Sequence, residues 1–157
     1  VNEGKTLKNM TAELLEKAIA IAEKMHHGQV DKAGAPYISH PLSVMNQVQT
    51  LEEKIVAVLH DAIEDTPLTL ADLEREGFPA HILQAIDAIS KRKGESEESY
   101  LERVMSNRLA LRVKIADITD NMRLERIAHP TPKDFARIER YAKMLPILHT
   151  AYQKLTS

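Results

Sequence analysis

Cysteine is absent from the 157 residues, which excludes disulfides and thiolate metal sites alike. A long apolar run is absent too: nothing approaches the ~20 residues that a membrane-spanning helix needs. Residues 1–10 lack the apolar stretch of a signal peptide and read as a lead-in to one domain over residues 11–157. Charge imbalance is missing as well. The formal net charge is −2, so no bulk attraction to nucleic acid or anionic lipid is implied. The expected location is the cytoplasm, with neither a membrane nor a nucleic acid as partner. No two-residue alternation is long enough for a strand, and there is no internal repeat or low-complexity tract.

What is present is a soluble balance of 43% hydrophobic and 28% charged residues. A chain of this length buries roughly 70% of its unfolded surface. Helical periodicity runs throughout. Leu14, Leu15, Ala18, Ala22 and Met25 share a face of a first helix, with Thr11 as its N-cap. Residues 28–39, with Gly34 and Pro36, read as a loop. Pro41 suits the first turn of a second helix. Ile55, Val58, Leu59, Ala62 and Ile63 mark a third, which Pro67 ends near Asp65-Thr66. A short helix follows over 69–76, then one carrying Ile82, Leu83, Ile86 and Ile89. A polar loop over 91–98 leads to a helix with Leu101, Val104 and Met105. A long helix is predicted from about Leu109 to Ile127. The last begins at Thr131-Pro132 and shows an apolar face of Phe135, Ile138, Ala142, Leu145, Leu148 and Tyr152, with a bend at Pro146. The predicted fold is all-α, a single-domain helical bundle.

Several helices carry polar residues that packing does not request. His60, Asp61, Glu64 and Asp65 follow an apolar run at spacings that share a helix face. Glu64 is a like-charged neighbour of Asp61, and Asp65 lies in a last turn where the macrodipole disfavours anions. Alone, this segment reads most simply as a solvated acidic helix end. Other segments shift the balance. His40 stands at a helix start, and Asp117, Asp120 and Asn121 interrupt an otherwise apolar helix. A bundle can converge such residues from facing helices. Two imidazoles and two carboxylates suit Mn²⁺, Fe²⁺ or Zn²⁺ better than Ca²⁺.

These blocks resemble a known family. His27-Gly28-Gln29, Lys32, Gly34, Pro36-Tyr37 and His40-Pro41 match its opening motif. Residues His60 to Thr66, Lys114 to Asp117 and Asn121-Met122-Arg123 match its later motifs. Together they are similar to the HD-domain hydrolases of the RelA/SpoT type, which degrade ppGpp and pppGpp. The resemblance runs from about Ala18 to Arg126. It implies an HD-type bundle with one divalent metal, most often Mn²⁺, on His40, His60, Asp61 and Asp117. It implies that Glu64 and Asp65 handle the attacking water and that Lys32 and Asn121 contact a phosphorylated nucleotide. Since no synthetase domain follows Ser157, a stand-alone small alarmone hydrolase is expected, releasing pyrophosphate to leave GDP or GTP.

Three positions depart from that pattern. Asp31 stands where the family has an arginine that packs on the guanine, and an anion cannot supply that stacking. Asp120 replaces a histidine, and Leu124 replaces a threonine near the ribose. The reaction is thus better supported than the substrate. A nicotinamide dinucleotide phosphate or another phosphorylated nucleotide is the alternative, and a non-catalytic nucleotide-binding module ranks behind both. Lys91-Arg92-Lys93 reads as a solvated loop, with guidance of an anionic substrate as the lesser reading. Lys114 is expected to pair with a carboxylate. Tyr37 and Met45 read as core, and His27 as structural or solvated. His81, His129 and His149 receive no role.

Overall fold

Polar caps punctuate the chain. Thr50, Thr69 and Thr131 each accept a bond from the backbone N–H three residues on, and Glu53, Asp72 and Asp134 return it. Each such box satisfies two N–H groups that the helix leaves unpaired. Ser96 and Asn107 cap their helices with a side-chain oxygen alone. The helices of the computed structural model are α1 (Glu3–Met25), α2 (Ser39–Asn46), α3 (Leu51–Asp65), α4 (Leu70–Arg75), α5 (Ala80–Ile89), α6 (Glu97–Met105), α7 (Arg108–Asn121) and α8 (Pro132–Thr156). A 3₁₀ turn, Leu124–Arg126, lies between the last two. Val1 and Asn2, and the side chains of residues 3–10 and Arg126, lie outside the described residues. No strand forms among the described residues, and Val30 and Pro36 make one isolated antiparallel bridge.

Three expectations are corrected. Helix α1 is already formed at Glu3, so Thr11 sits inside it rather than capping it; no proline intervenes to stop the chain from continuing the turn. The predicted lead-in at Val1 and Asn2 lies outside the described residues. Helix α7 ends at Asn121, not near Ile127, because the Arg123 N–H bonds back to the Asp120 carbonyl and Arg123 itself turns extended. The apolar face of α8 is corrected in part: Leu145, Leu148 and Tyr152 pack inward as predicted. Phe135 and Ala142 are exposed, while Tyr141 and Met144 face inward. Pro146 lies inside α8.

Helix α3 is the axis of the bundle. Every residue from Ile55 to Ala62 is buried, with α1, α2, α5 and α7 packed around it. A helix apolar on all sides has no solvent face to offer. Helix α7 is shared by two clusters. Its Ala110, Val113 and Ala116 join the main core. Its Leu111, Ile115 and Ile118 join a second core with Tyr100, Val104 and Leu148. Full burial of each such Leu or Ile contributes roughly 1.5–3 kcal/mol. Any carboxylate carried on α3 or α7 at these levels is drawn inside with them.

Candidate metal centre

Helices α2, α3 and α7 bring four of the expected residues to one point. Pro41 tolerates the first turn of α2, where a missing N–H costs little, and beside it His40 is buried at 3% exposure. His60 and Asp61 come from the buried middle of α3, and Asp117 from α7. His40 Nε2 lies 2.8 Å from Asp117 Oδ1 and 3.5 Å from Asp61 Oδ2. His60 Nε2 lies 3.1 Å from Asp61 Oδ1 and 3.7 Å from Asp117 Oδ1. Both Nε2 atoms therefore face the same two carboxylates. Ligand atoms of His40, Asp61 and Asp117 lie within 4.8 Å of one another, a spacing one cation can span.

Each of these side chains is held from outside. His60 Nδ1–H donates to the Ala57 carbonyl at 3.0 Å. His40 Nδ1 meets Asp120 Oδ2 at 2.6 Å. The Tyr37 hydroxyl donates to Asp61 Oδ2 at 3.2 Å. Lys114 Nζ sits 3.3 Å from Asp117 Oδ2, the pairing expected of it, and Asn121 Nδ2 donates to Asp117 Oδ1 at 3.4 Å. With Nδ1 engaged outward, each imidazole keeps Nε2 for the centre, the arrangement that oriented metal-binding histidines use.

Without a cation the cluster neutralises itself through its imidazoles. Burial alone would lower the His40 pKa, but the bonds to Asp117 and Asp120 outweigh it and push it up to about 9. His60 follows the same pattern and is raised, chiefly by the charge of Asp61. Burial would raise the Asp117 carboxyl, yet Lys114 and the two imidazoles hold it well below the usual range. Burial also opposes ionisation of Asp61, and protonated His60 keeps it ionised and low. A divalent cation would take over the role of those protons, and the N/O donor set fits one.

Glu64 and Asp65 lie at the exposed end of α3. Oxygens of Asp61, Glu64 and Asp65 come within 4.8 Å of one another. Glu64 accepts the Lys91 backbone N–H at 2.7 Å. Both pKa values are raised, first by burial; the Asp61 charge adds to the rise at Asp65. A carboxylate of raised pKa beside such a cluster is a better proton acceptor than an ordinary one.

Two hollows adjoin the cluster. One, of about 280 Å³, is lined by Val30, Lys32, Tyr37, Asn121, Arg137 and Tyr141 among others. The other is an open cleft between Glu64-Asp65 and the basic loop Lys91-Arg92-Lys93. Lys32 Nζ lies 2.6 Å from Asp134 Oδ1 at the start of α8. Asp31 folds back on its own loop, its Oδ1 accepting the N–H groups of Ala33 and Ala35. Leu124 is 42% exposed. Tyr37 is not simply core, since its hydroxyl reaches Asp61. Met45 packs against the main core, as expected.

Sequence reasoning missed Arg137 and Tyr141. They stand four apart on α8, which lay outside every motif block. Arg137 Nη2 reaches Asp134 Oδ1 at 3.3 Å, while its buried Nε has no hydrogen-bond partner among the described residues. Their spacing alone marks only a shared helix face.

Residues 18–146 match the HD-domain family, and the chain belongs to it. It is 36% identical over 118 residues to the guanosine-3′,5′-bis(diphosphate) 3′-pyrophosphohydrolase of Haemophilus influenzae, covering 66% of this chain and 17% of that protein. It is 33% identical over 124 residues to the bifunctional (p)ppGpp synthase/hydrolase SpoT of Escherichia coli K12, covering 69% and 18%. The corresponding hydrolase of Vibrio cholerae is 31% identical over 152 residues, covering 87% and 21%. The chain thus spans about a fifth of the length of these curated relatives. Among solved structures it resembles a metazoan ortholog of SpoT that hydrolyzes ppGpp, at a TM-score of 0.72 and 19% identity, covering 90% of this chain and 92% of that one. The helical HD fold expected from the motifs is therefore the fold observed. No helix among the described residues is long and apolar enough to cross a membrane.

Proposed function

We propose that the chain is a metal-dependent phosphohydrolase acting on a phosphorylated guanosine nucleotide of the ppGpp type, with residues 11–157 as its catalytic unit. The observation that carries this reading is the meeting of His40, His60, Asp61 and Asp117 beside Glu64 and Asp65. In this reading the first four hold one divalent cation, Mn²⁺ in preference. When bound, such an ion neutralises charge on a phosphoryl oxygen and makes a water more acidic. Glu64 takes a proton from the attacking water, and Asp65 shares the task. The Lys91 N–H fixes the Glu64 carboxylate for it. Water adds to the 3′-linked phosphorus, the ribose 3′ oxygen leaves with a proton, and pyrophosphate departs from GDP or GTP.

The cavity between the opening loop and α8 suits the nucleotide. Lys32 and Arg137 offer cations to phosphate, and Tyr37 and Tyr141 offer rings to a base or sugar. Asn121 joins this cavity to the cluster through Asp117. The relatives named above for pyrophosphohydrolysis of guanosine bis(diphosphate) support the same substrate class.

A second reading keeps the chemistry and changes the nucleotide. It is favoured by Asp31, whose carboxylate is committed to its own turn and brings no guanidinium to a guanine. A panel of ppGpp, pppGpp, a nicotinamide dinucleotide phosphate and simple nucleoside phosphates, assayed with Mn²⁺ after metal stripping, decides between them. Release of pyrophosphate from ppGpp is expected to be the fastest reaction. Turnover of none of them by metal-loaded protein would refute both readings.

A further inference from the structure

We propose that Asp120 is a positioning residue for the metal centre, fixing His40 with Nδ1 protonated and Nε2 turned toward Asp61 and Asp117. The inference rests on the reading of His40 as a metal ligand. Asp120 is wholly buried on α7. Its Oδ2 lies 2.6 Å from His40 Nδ1, while His40 Nε2, on the opposite edge of the ring, lies 2.8 Å from Asp117. The ring therefore stands between Asp120 and the cluster, which removes Asp120 from the set of direct ligands.

The other oxygen of Asp120 is filled. Its Oδ1 accepts from Ser43 Oγ at 2.6 Å, Gln47 Nε2 at 3.2 Å and Arg123 Nη1 at 3.0 Å. A buried carboxylate is costly unless its lone pairs are occupied, and here α2 and Arg123 occupy them. The carboxylate is thus clamped in place and can clamp the imidazole in turn. An acceptor-only group at Nδ1 keeps a proton on this nitrogen, so the proton that a cation displaces is the one on Nε2. Its negative charge also makes Nε2 a stronger donor to metal. Asp120, read from sequence as a lost nucleoside contact, serves the other side of the site.

The test uses the full chain, stripped of metal and titrated with MnCl₂ while free Mn²⁺ is followed by electron paramagnetic resonance. Asp120→Asn keeps the volume and loses the charge, and is expected to weaken Mn²⁺ binding roughly 10- to 100-fold. Ser43→Ala removes one of the three bonds to the other oxygen of that carboxylate while its charge stays on His40 Nδ1, and should weaken binding far less than Asp120→Asn. In Zn²⁺-loaded protein, the His40 Nδ1–H proton resonance should sit far downfield and move upfield in Asp120→Asn. Unchanged Mn²⁺ affinity in Asp120→Asn, together with lost binding in His40→Ala, would overturn the role of Asp120 alone. Wild-type binding by His40→Ala would overturn the ligand assignment as well. If Ser43→Ala weakened binding as much as Asp120→Asn, the effect would be general loosening and the proposal would fall.

Discussion

Lys32 Nζ lies 2.6 Å from Asp134 Oδ1, joining residues 102 positions apart. The bond clips the opening loop to the first turn of α8 and closes one wall of the cavity beside the metal centre. Asp134 at the same time completes the Thr131 capping box. Lys32 itself is more than half exposed, so the pair contributes little to stability as an ion pair. Lys32→Ala should leave the melting temperature nearly unchanged and lower kcat/KM on the nucleotide. Thr131→Ala should lower stability by ~1 kcal/mol through the lost cap, with a smaller effect on catalysis. Equal effects of the two on both measurements would contradict this division of labour.

Acid should loosen the same corner first. The bond from Lys32 and the Thr131 N–H and hydroxyl hold the Asp134 carboxyl at about 2, below its ordinary 3.8. A depressed carboxylate stabilises the fold fully above 3.8, and that contribution is lost as the pH falls toward 2. An acid titration of wild type against Asp134→Asn should converge at low pH and separate above 4. Parallel curves throughout would count against the linkage.

Cation loading should release protons. In the metal-free protein His40 is raised from 6.5 to about 9. A raised imidazole contributes stability that is complete below 6.5 and is lost as pH rises through 9. A cation competes with that proton, so Mn²⁺ affinity should rise with pH across this window. Calorimetry in buffers of different ionisation heat measures the protons released. Asp61→Ala should abolish both the release and the turnover, and chelation of wild type should be reversed by added Mn²⁺.

Glu64 can be separated from the residues proposed to hold the metal. Glu64→Gln keeps the bond from the Lys91 N–H within reach but cannot take a proton. Turnover should drop by roughly 10²–10⁴-fold, with Mn²⁺ affinity close to wild type. A loss of metal in step with activity would instead make Glu64 a ligand.

The residues of the His-Asp cluster were legible because they break a rule. Asp117 interrupts an apolar helix, and His60-Asp61 continues an apolar run, so packing alone does not account for either. Helix starts at Thr69 and Thr131 follow from local capping, which acts over three residues. What stayed hidden acts over long distances. The partner of Asp120 is His40, 80 positions away, and that of Tyr37 is Asp61, 24 positions away. Nothing near Asp120 in the chain points to a partner on α2. The end of α7 was overestimated because Leu124 and Ile127 continue the apolar pattern past the point where the backbone tightens. The true inner face of α8 depends on where α6 and α7 lie, which no periodicity within α8 records.

Helix α7, shared by both cores, has a consequence for how the molecule opens. A helix gripped on two sides cannot be released by fraying of either neighbour, so its amide hydrogens should exchange only through near-global opening. The far end of α8, from Ile147 onward, touches one core and should exchange far sooner. Asp117 and Asp120 should therefore ride, like His60 and Asp61 on α3, on a slowly exchanging part of the protein. The His-Asp cluster should therefore stay assembled while the far end of α8 opens and closes.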